Sequence, residues 1–404
     1  MIINEQTWEF IRQHANEDVR KLALQGSRDA EVDLPMALQQ IAGWQTARKK
    51  LPTWAASEHV VYPPHLNMEQ CSSEQTARYK ASLLTSKGDT YVDLTGGFGV
   101  DFYWMSQGFK HRNYIEQNAD LCRIAEHNFQ VLGLDCSVRC CDTATYLTDM
   151  PHADVVFLDP ARRNEHGGRT YDIRDCTPNV LELLPLLLEK ADKIILKLSP
   201  MFDWRKAVSD LKHVSEVHIV SVANECKELL LVLGQQQTET PSITCVNDDS
   251  VFKVFSLSEN DGFSAGNQCF LGPKTMFSQL ENDSAKYLYE PNASIMKVGC
   301  FAELEQQYPV CQLSANSHLF QSSVEIDDFP GRRFQICAIS SMNKQDLKRT
   351  LKDIQQANIA VRNFPMSVEQ LRKKLRLKDG GDVYIFATTV ANNQHQLYLC
   401  RKIG

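Results

Sequence analysis

A short apolar run that closes on a carboxylate recurs four times between residues 90 and 159, with helical patterns between the runs. The four are Thr90-Tyr-Val-Asp93, His111-Arg-Asn-Tyr-Ile-Glu116, Cys136-Ser-Val-Arg-Cys-Cys-Asp142 and Ala153-Asp-Val-Val-Phe-Leu-Asp159. Strands alternating with helices predict an α/β fold, a doubly wound sheet of parallel strands. In such sheets ligands bind outside the carboxyl ends of the strands, where all four acids fall. Any one acid alone reads equally well as a solvated loop residue; four in register do not. Lys193-Ile-Ile-Leu-Lys-Leu198 reads as a fifth strand, and His218–Val222 with Leu229–Leu233 as a closing pair. Helical patterns at 103–107, 119–132 and 177–190 supply the crossovers.

Asp93 leads into Leu-Thr-Gly-Gly-Phe-Gly99, a loop of small residues. Glycines there let backbone N–H groups approach a ligand closely, because no Cβ intervenes. A tight strand-to-helix connection uses the same residues, so the loop alone does not decide. A carboxylate just ahead of it suits a cationic group better than a pyrophosphate. That is the logic of a pocket for S-adenosyl-L-methionine, whose charged amino acid and sulfonium replace the two phosphates of NAD. Glu116 follows Asp93 by 23 residues, near the spacing at which an acid accepts hydrogen bonds from ribose hydroxyls. Asp142, ending the third run, is placed to read an adenine amine.

Residues 70–234 resemble a class I S-adenosylmethionine-dependent methyltransferase. Asp93-Leu-Thr-Gly-Gly-Phe-Gly99 is similar to that superfamily's Asp/Glu-x-Gly-x-Gly-x-Gly motif, with Thr95 in place of the first glycine. Asp159-Pro-Ala-Arg162 resembles the Asp-Pro-Pro-aromatic motif of nucleic-acid amino methyltransferases, departing at Ala161 and Arg162. Three further segments, Gln70–Lys80, Asn224–Leu230 and Phe329–Phe334, make the whole chain resemble a family of bacterial proteins classed as RNA methyltransferases with a THUMP-like C-terminal domain. The resemblance implies a Rossmann-like core, S-adenosyl-L-methionine as cofactor, no metal, and RNA (tRNA or rRNA) as partner. Asp93, Thr95, Gly97 and Gly99 would then hold the methionine end, Glu116 the ribose and Asp142 the adenine.

For an exocyclic amine, a carboxylate and a backbone carbonyl can accept the two N–H bonds and aim the lone pair at the methyl carbon; Asp159 and Pro160 suit that role. Arg162, in place of an aromatic, can stack on a base or clamp a phosphate, and Arg163 beside it can grip substrate. Tyr171 and Phe202 are candidates for the missing stacking. Carbon methylation would need a cysteine nucleophile; neither Asp159–Arg162 nor Lys197–Pro200 contains one, and Cys226 reads as a partly buried thiol.

The net charge is −7, yet residues 344–378 carry ten Lys/Arg against three acids, +7, which leaves −14 elsewhere. Such asymmetry is an electrostatic footprint for a polyanion, with Arg372, Lys374 and Arg376 as its candidate substrate contacts, although two solvated helix faces look the same. The 13 cysteines are scattered without a Cys-x-x-Cys pair, which favours reduced thiols in a cytoplasmic protein over disulfides or zinc. No apolar run reaches the ~18 residues of a membrane span. Four regions are expected: 1–70, helical; 71–235, the methyltransferase domain; 236–325, a small α+β, ferredoxin-like segment; and 326–404, THUMP-like. Oligomeric state leaves no mark in the sequence. A small-molecule or protein methyltransferase would keep the pocket without salt-sensitive RNA affinity. A non-catalytic RNA-binding protein would keep the basic module and tolerate loss of Asp159.

Overall fold

The computed structural model describes residues 3–27, 29–84, 88–161, 172–238, 240–254, 285–390 and 393–403, and the backbone of Arg162. The chain divides into two compact units, Met1–His218 with Glu228–Pro241, and Ile219–Lys227 with Ser242–Gly404.

The first unit begins with six helices: α1 (Glu5–His14), α2 (Val19–Gln25), α3 (Leu34–Lys50), α4 (Pro52–Ala55), α5 (His65–Gln70) and α6 (Glu74–Ser82). Asn4, Asp18, Asp33 and Ser73 start four of them by accepting a backbone N–H that the helix itself leaves unpaired. Leu51 ends α3 and Pro52 begins α4. Proline lacks the N–H that a first turn does not use. Trp54 of α4 is fully buried, its ring centroid 5.0 Å from that of Phe98. The N-terminal helices therefore pack directly on the glycine loop.

Then come β1 (Thr90–Asp93), α7 (Val100–Met105), β2 (His111–Glu116), α8 (Ala119–Val131), β3 (Ser137–Cys140), α9 (Thr143–Asp149) and β4 (Ala153–Leu158). A two-residue pairing follows, β5 (Ala161–Arg162) with β6 (Cys176–Thr177), before α10 (Val180–Lys190), β7 (Ala191–Leu198), α11 (Trp204–Leu211), β8 (Val214–Val222) and β9 (Glu225–Gly234). The strands lie in the order β3-β2-β1-β4-β7-β9-β8. β1 to β4 and β7 are parallel, whereas β9 runs antiparallel to β7. Chain order reverses between β1 and β4, the switch point where such sheets open a crevice.

α7 starts at Val100, not near Tyr103, because Gly99 at φ +88° turns the loop straight into the helix. α10 starts three residues later than expected, since Thr177 is held in β6.

The second unit holds Ile219–Lys227, at the ends of β8 and β9, beside β10 (Ser242–Asn247) and β11 (Ser250–Val254). Its larger sheet orders β13 (Cys311–Gln312), β14 (Phe320–Ser322), β12 (Tyr287–Pro291), β15 (Gly331–Ser341), β18 (His395–Ile403), β17 (Val383–Thr389) and β16 (Asn358–Arg362). Among the described residues four helices accompany it: α12 (Ala293–Val298), α13 (Phe301–Gln307), α14 (Lys344–Thr350) and α15 (Val368–Leu375). Side chains alternate between faces along a strand, and both faces are covered here. Leu397 and Leu399 join Ile385 and Leu371, whereas Tyr398 and Cys400 join Phe334 and Phe386.

Candidate active site

The loop after β1 is fixed by contacts that its sequence dictates. A Cβ on Gly96 would meet the Tyr114 ring at 2.1 Å, and Gly97 has φ +56°. The Tyr114 hydroxyl donates to the Gly97 carbonyl at 2.5 Å, and the Gly97 N–H donates to Glu116 Oε2 at 2.9 Å. Glu116 Oε1 accepts the Asn118 N–H at 2.8 Å. Each Glu116 oxygen keeps a second lone pair for another donor, as a ribose hydroxyl would require. Thr95 Oγ1 accepts the Asp159 N–H at 2.6 Å, so the residue that departs from the motif ties this loop to the end of β4.

Asp93 is 1% exposed. Burial pushes its carboxyl well above the usual range against the Thr95 N–H, which donates to Oδ1 at 2.9 Å, and the nearby charges of Asp101, Asp159 and Glu116 push it further. The environment of Asp93 is thus short of positive charge.

Behind it lies a buried ion cluster. Lys80, with no exposed surface, contacts Glu228 at 2.6 Å, Asp101 at 3.0 Å and Ser72 Oγ at 3.1 Å. Lys197, from β7, donates to Asp159 Oδ2. Burial alone would lower Lys197, but Asp159, Asp101 and Glu228 hold it well above its ordinary value. Burial would likewise raise Glu228, but Lys80 and Lys197 hold it low. Asp159 keeps 37% of its side-chain surface open, so its desolvation is partial; its carboxyl is still raised, with Lys197 opposing. Three carboxylates (Asp101, Asp159, Glu228) share two ammonium groups (Lys80, Lys197), and Asp93 pairs with neither. That excess of negative charge, beside the glycine loop, fits a ligand with an ammonium and a sulfonium.

The acids of the first, second and fourth runs take part in this neighbourhood. Asp142 lies just past β3, exposed, and caps α9 by accepting the Thr145 N–H at 3.0 Å; the Thr145 hydroxyl and N–H hold its carboxyl low. Arg163 and Tyr171 lie outside the described residues, and Arg162 is described in its backbone alone, paired with Cys176. Phe202 is buried. Arg78 pairs with Glu74 at 2.8 Å and lies over the Trp104 ring at 3.8 Å, a packing role. In the second unit Arg372 is committed to its own fold: it pairs with Asp379 at 2.6 Å and donates to the Ala357 and Lys378 carbonyls. Lys374 and Arg376 are exposed. Cys226 is half-buried and its thiol is raised by burial, the opposite of an activated nucleophile.

Sequence reasoning missed Ser72, Lys80, Asp101, Lys197 and Glu228. Lys80 and Glu228 do lie inside two of the segments that carry the family resemblance.

Strand order, the antiparallel β9 and the acid-flanked glycine loop define a class I methyltransferase, an enzyme class whose cofactor is S-adenosyl-L-methionine. A protein of Porphyromonas gingivalis W83, described as a candidate methyltransferase, is 31% identical over 100% of both chains, with a TM-score of 0.84. The chain belongs to the family of that protein. The ferredoxin-like domain description matches residues 287–330 and the THUMP domain-like description residues 331–402. M. capricolum TrmK in complex with S-adenosyl-homocysteine is 12% identical, covering 40% of this chain and 68% of its own, at a TM-score of 0.32. A candidate class I S-adenosylmethionine-dependent methyltransferase of Listeria monocytogenes is 11% identical, covering 60% and 94%, at 0.38. At such scores neither carries an argument about this chain. No curated protein matches it.

Among the described residues no helix is long and apolar enough to cross a membrane, and no group of three His, Cys, Asp or Glu is arranged to hold a metal ion. The described cysteines are free thiols.

Proposed function

We propose that this methyltransferase acts on an exocyclic amine of a base in RNA. The observation that carries the reading is Asp159, a partly open carboxylate at the end of β4, tied by its backbone to the glycine loop and fixed at Oδ2 by Lys197. When bound, S-adenosyl-L-methionine supplies a methyl group on a sulfonium. The chain's own work is to hold and orient. Asp93 gives the cationic end a buried counter-charge, and Glu116 and the Gly97 N–H fix the loop beside it. Asp142 would accept from the adenine amine while it caps α9. Asp159 and the Pro160 carbonyl accept the two N–H bonds of the acceptor amine, which leaves its lone pair free; alignment of this kind supplies much of the rate. Lys197, by holding one Asp159 oxygen, sets the carboxylate's orientation and favours its charged form.

RNA as substrate draws support from the THUMP domain-like match and from the exposed Lys374 and Arg376. Arg162 and Arg163 extend the same reading to the residues that follow Asp159-Pro160 in the sequence. Transfer of labelled methyl groups to RNA from cells lacking the gene tests it. Asp159→Ala should abolish transfer and leave S-adenosyl-homocysteine affinity within a few-fold, whereas Cys226→Ser should keep most activity. An active Asp159→Ala would end the amine mechanism. Transfer to proteins or small molecules but not RNA would end the substrate reading.

A further inference from the structure

Two of the three segments that carry the family resemblance, Asn224–Leu230 and Phe329–Phe334, have residues the methyltransferase chemistry does not use, and these meet within the second unit. Asn224, Gly331, Arg332 and Arg333 line one cavity of about 270 Å³, together with Asn292 and Lys402 among others.

The cavity is basic and partly preorganised. Arg332 is anchored by Glu290, whose side chain is 3% exposed and also takes Arg362 at 2.6 Å. One buried carboxylate thus serves two guanidinium groups and leaves positive charge over at the cavity wall. Arg333 is held by Asp327 at 2.6 Å. Lys402 is exposed, and no acid pairs with it among the described residues. Asp248 is the acidic lining residue, and both of its oxygens are engaged by the Ala223 N–H at 3.0 and 3.1 Å.

Asn292 is 8% exposed, yet its carboxamide has no hydrogen-bond partner among the described residues, although it lines the cavity. Its carboxamide opens on the cavity, where a ligand with a donor and an acceptor would pair with it. Asn224 contrasts with it: its Oδ1 accepts the Ala293 N–H at 2.7 Å and is already used.

We propose that this cavity binds one nucleotide unit, its phosphate against Lys402, Arg332 and Arg333 and its base edge against the Asn292 carboxamide. A carboxamide can pair in two places with a base edge, and guanidinium groups suit phosphate oxygens. The volume is just below the ~300–1,000 Å³ of small-molecule sites, room for one nucleotide and not for a helical segment. The choice of a nucleotide among phosphorylated ligands rests on the proposed RNA substrate; the phosphate site does not. The nucleotide is either free or the terminal unit of an RNA.

The test is calorimetry on the full chain. S-adenosyl-homocysteine binding is measured first, and the protein is then kept saturated with it so that its own pocket is filled. The four nucleoside 5′-monophosphates, their nucleosides and a short single-stranded RNA with a 5′-phosphate are titrated in turn. At least one monophosphate, or the RNA, should bind at one site, at least about ten-fold tighter than its unphosphorylated form, as expected for lost charge-assisted bonds. Lys402→Glu and Asn292→Leu should each weaken it by about ten-fold or more without changing S-adenosyl-homocysteine affinity. RNA that displaces the free nucleotide identifies the terminal unit as occupant; a monophosphate that RNA does not displace identifies the free molecule. Absence of binding by both, or equal binding by the parent and Lys402→Glu, overturns the proposal. Lys402 is exposed, so that variant remains informative if Asn292→Leu fails to fold. Loss of S-adenosyl-homocysteine binding in the parent would instead fault the methyltransferase reading.

Discussion

Lys80→Met perturbs the buried charge cluster at its centre. Methionine keeps the bulk of the stem but strands Glu228 and Asp101, whose side chains are 4% and 11% exposed. Ser72 Oγ lies 2.7 Å from Asp101 and 3.1 Å from Glu228; with one hydroxyl proton it can serve one of them at a time. Removing one partner of a buried ion pair costs about 3–5 kcal/mol, because the surviving charge stays buried with less compensation; here Lys197 still acts on both carboxylates. At about 2–4 °C per kcal/mol for a unit of this size, its melting transition should fall by about 6–20 °C. The pH dependence has a definite sign. Glu228's carboxyl is held below its ordinary value, so its contribution is present above the unfolded carboxylate's pKa and is lost as pH falls through the folded value. The variant weakens that depression, and the gap between parent and variant should be full at neutral pH and narrow as the medium becomes acidic. Scanning calorimetry of both proteins from about pH 7.5 to about 4.5 reads this directly, with Lys80→Met/Glu228→Gln as companion. A loss under about 1 kcal/mol at neutral pH would refute the reasoning. So would a double variant as damaged as the summed single variants.

Glu116→Ala should weaken S-adenosyl-homocysteine binding by about ten-fold or more, the worth of a charge-assisted hydrogen bond. Because Asp93's carboxyl is raised and must ionise to face an ammonium group, affinity in the parent should climb with pH, and Asp93→Asn should bind weakly and lose that climb; calorimetry showing unchanged affinity in both variants would end the residue assignment. Lys197→Met removes the group that opposes the rise of Asp159, so the acidic limb of the methyl-transfer profile should move to higher pH in initial-rate measurements. Lys374→Glu/Arg376→Glu should weaken RNA binding in filter titrations and flatten its salt dependence by about 0.7 in log–log slope per lost phosphate contact; Arg372→Ala should instead lower the melting temperature of the second unit.

What the sequence made legible is local in origin. A strand closing on an acid announces itself within six residues, and so Asp93, Glu116 and Asp159 were readable with the sheet that aligns them. Lys80 and Glu228 are 148 positions apart, and Lys197 sits in an apolar strand where it reads as a lysine that reaches solvent. Their pairing exists only once the sheet is closed. The basic stretch shows the same limit. Helical spacing separates Arg372 from Lys374, but not the return of the chain that brings the Ala357 and Lys378 carbonyls to Arg372. Short helices such as α5 and α9 went unread because one or two turns carry too little periodicity. Asp142 was read for its place after a strand, although the same residue type is a strong N-cap.

The hydroxyl of Thr95 has a consequence for how the two halves of the reaction communicate. It accepts the Asp159 N–H, so the loop beside the methyl donor and the loop that meets the acceptor share one fastening. If the two loops hold donor and acceptor as proposed, ordering one should help order the other, and the two binding events should be thermodynamically linked. Whatever factor acceptor gains from bound donor, donor gains from bound acceptor. A glycine at 95, as the common motif has it, would remove this side-chain fastening and leave the backbone ladder of β1 and β4 to hold them. In this chain the position carries a hydroxyl that joins the end of β4 to the glycine loop.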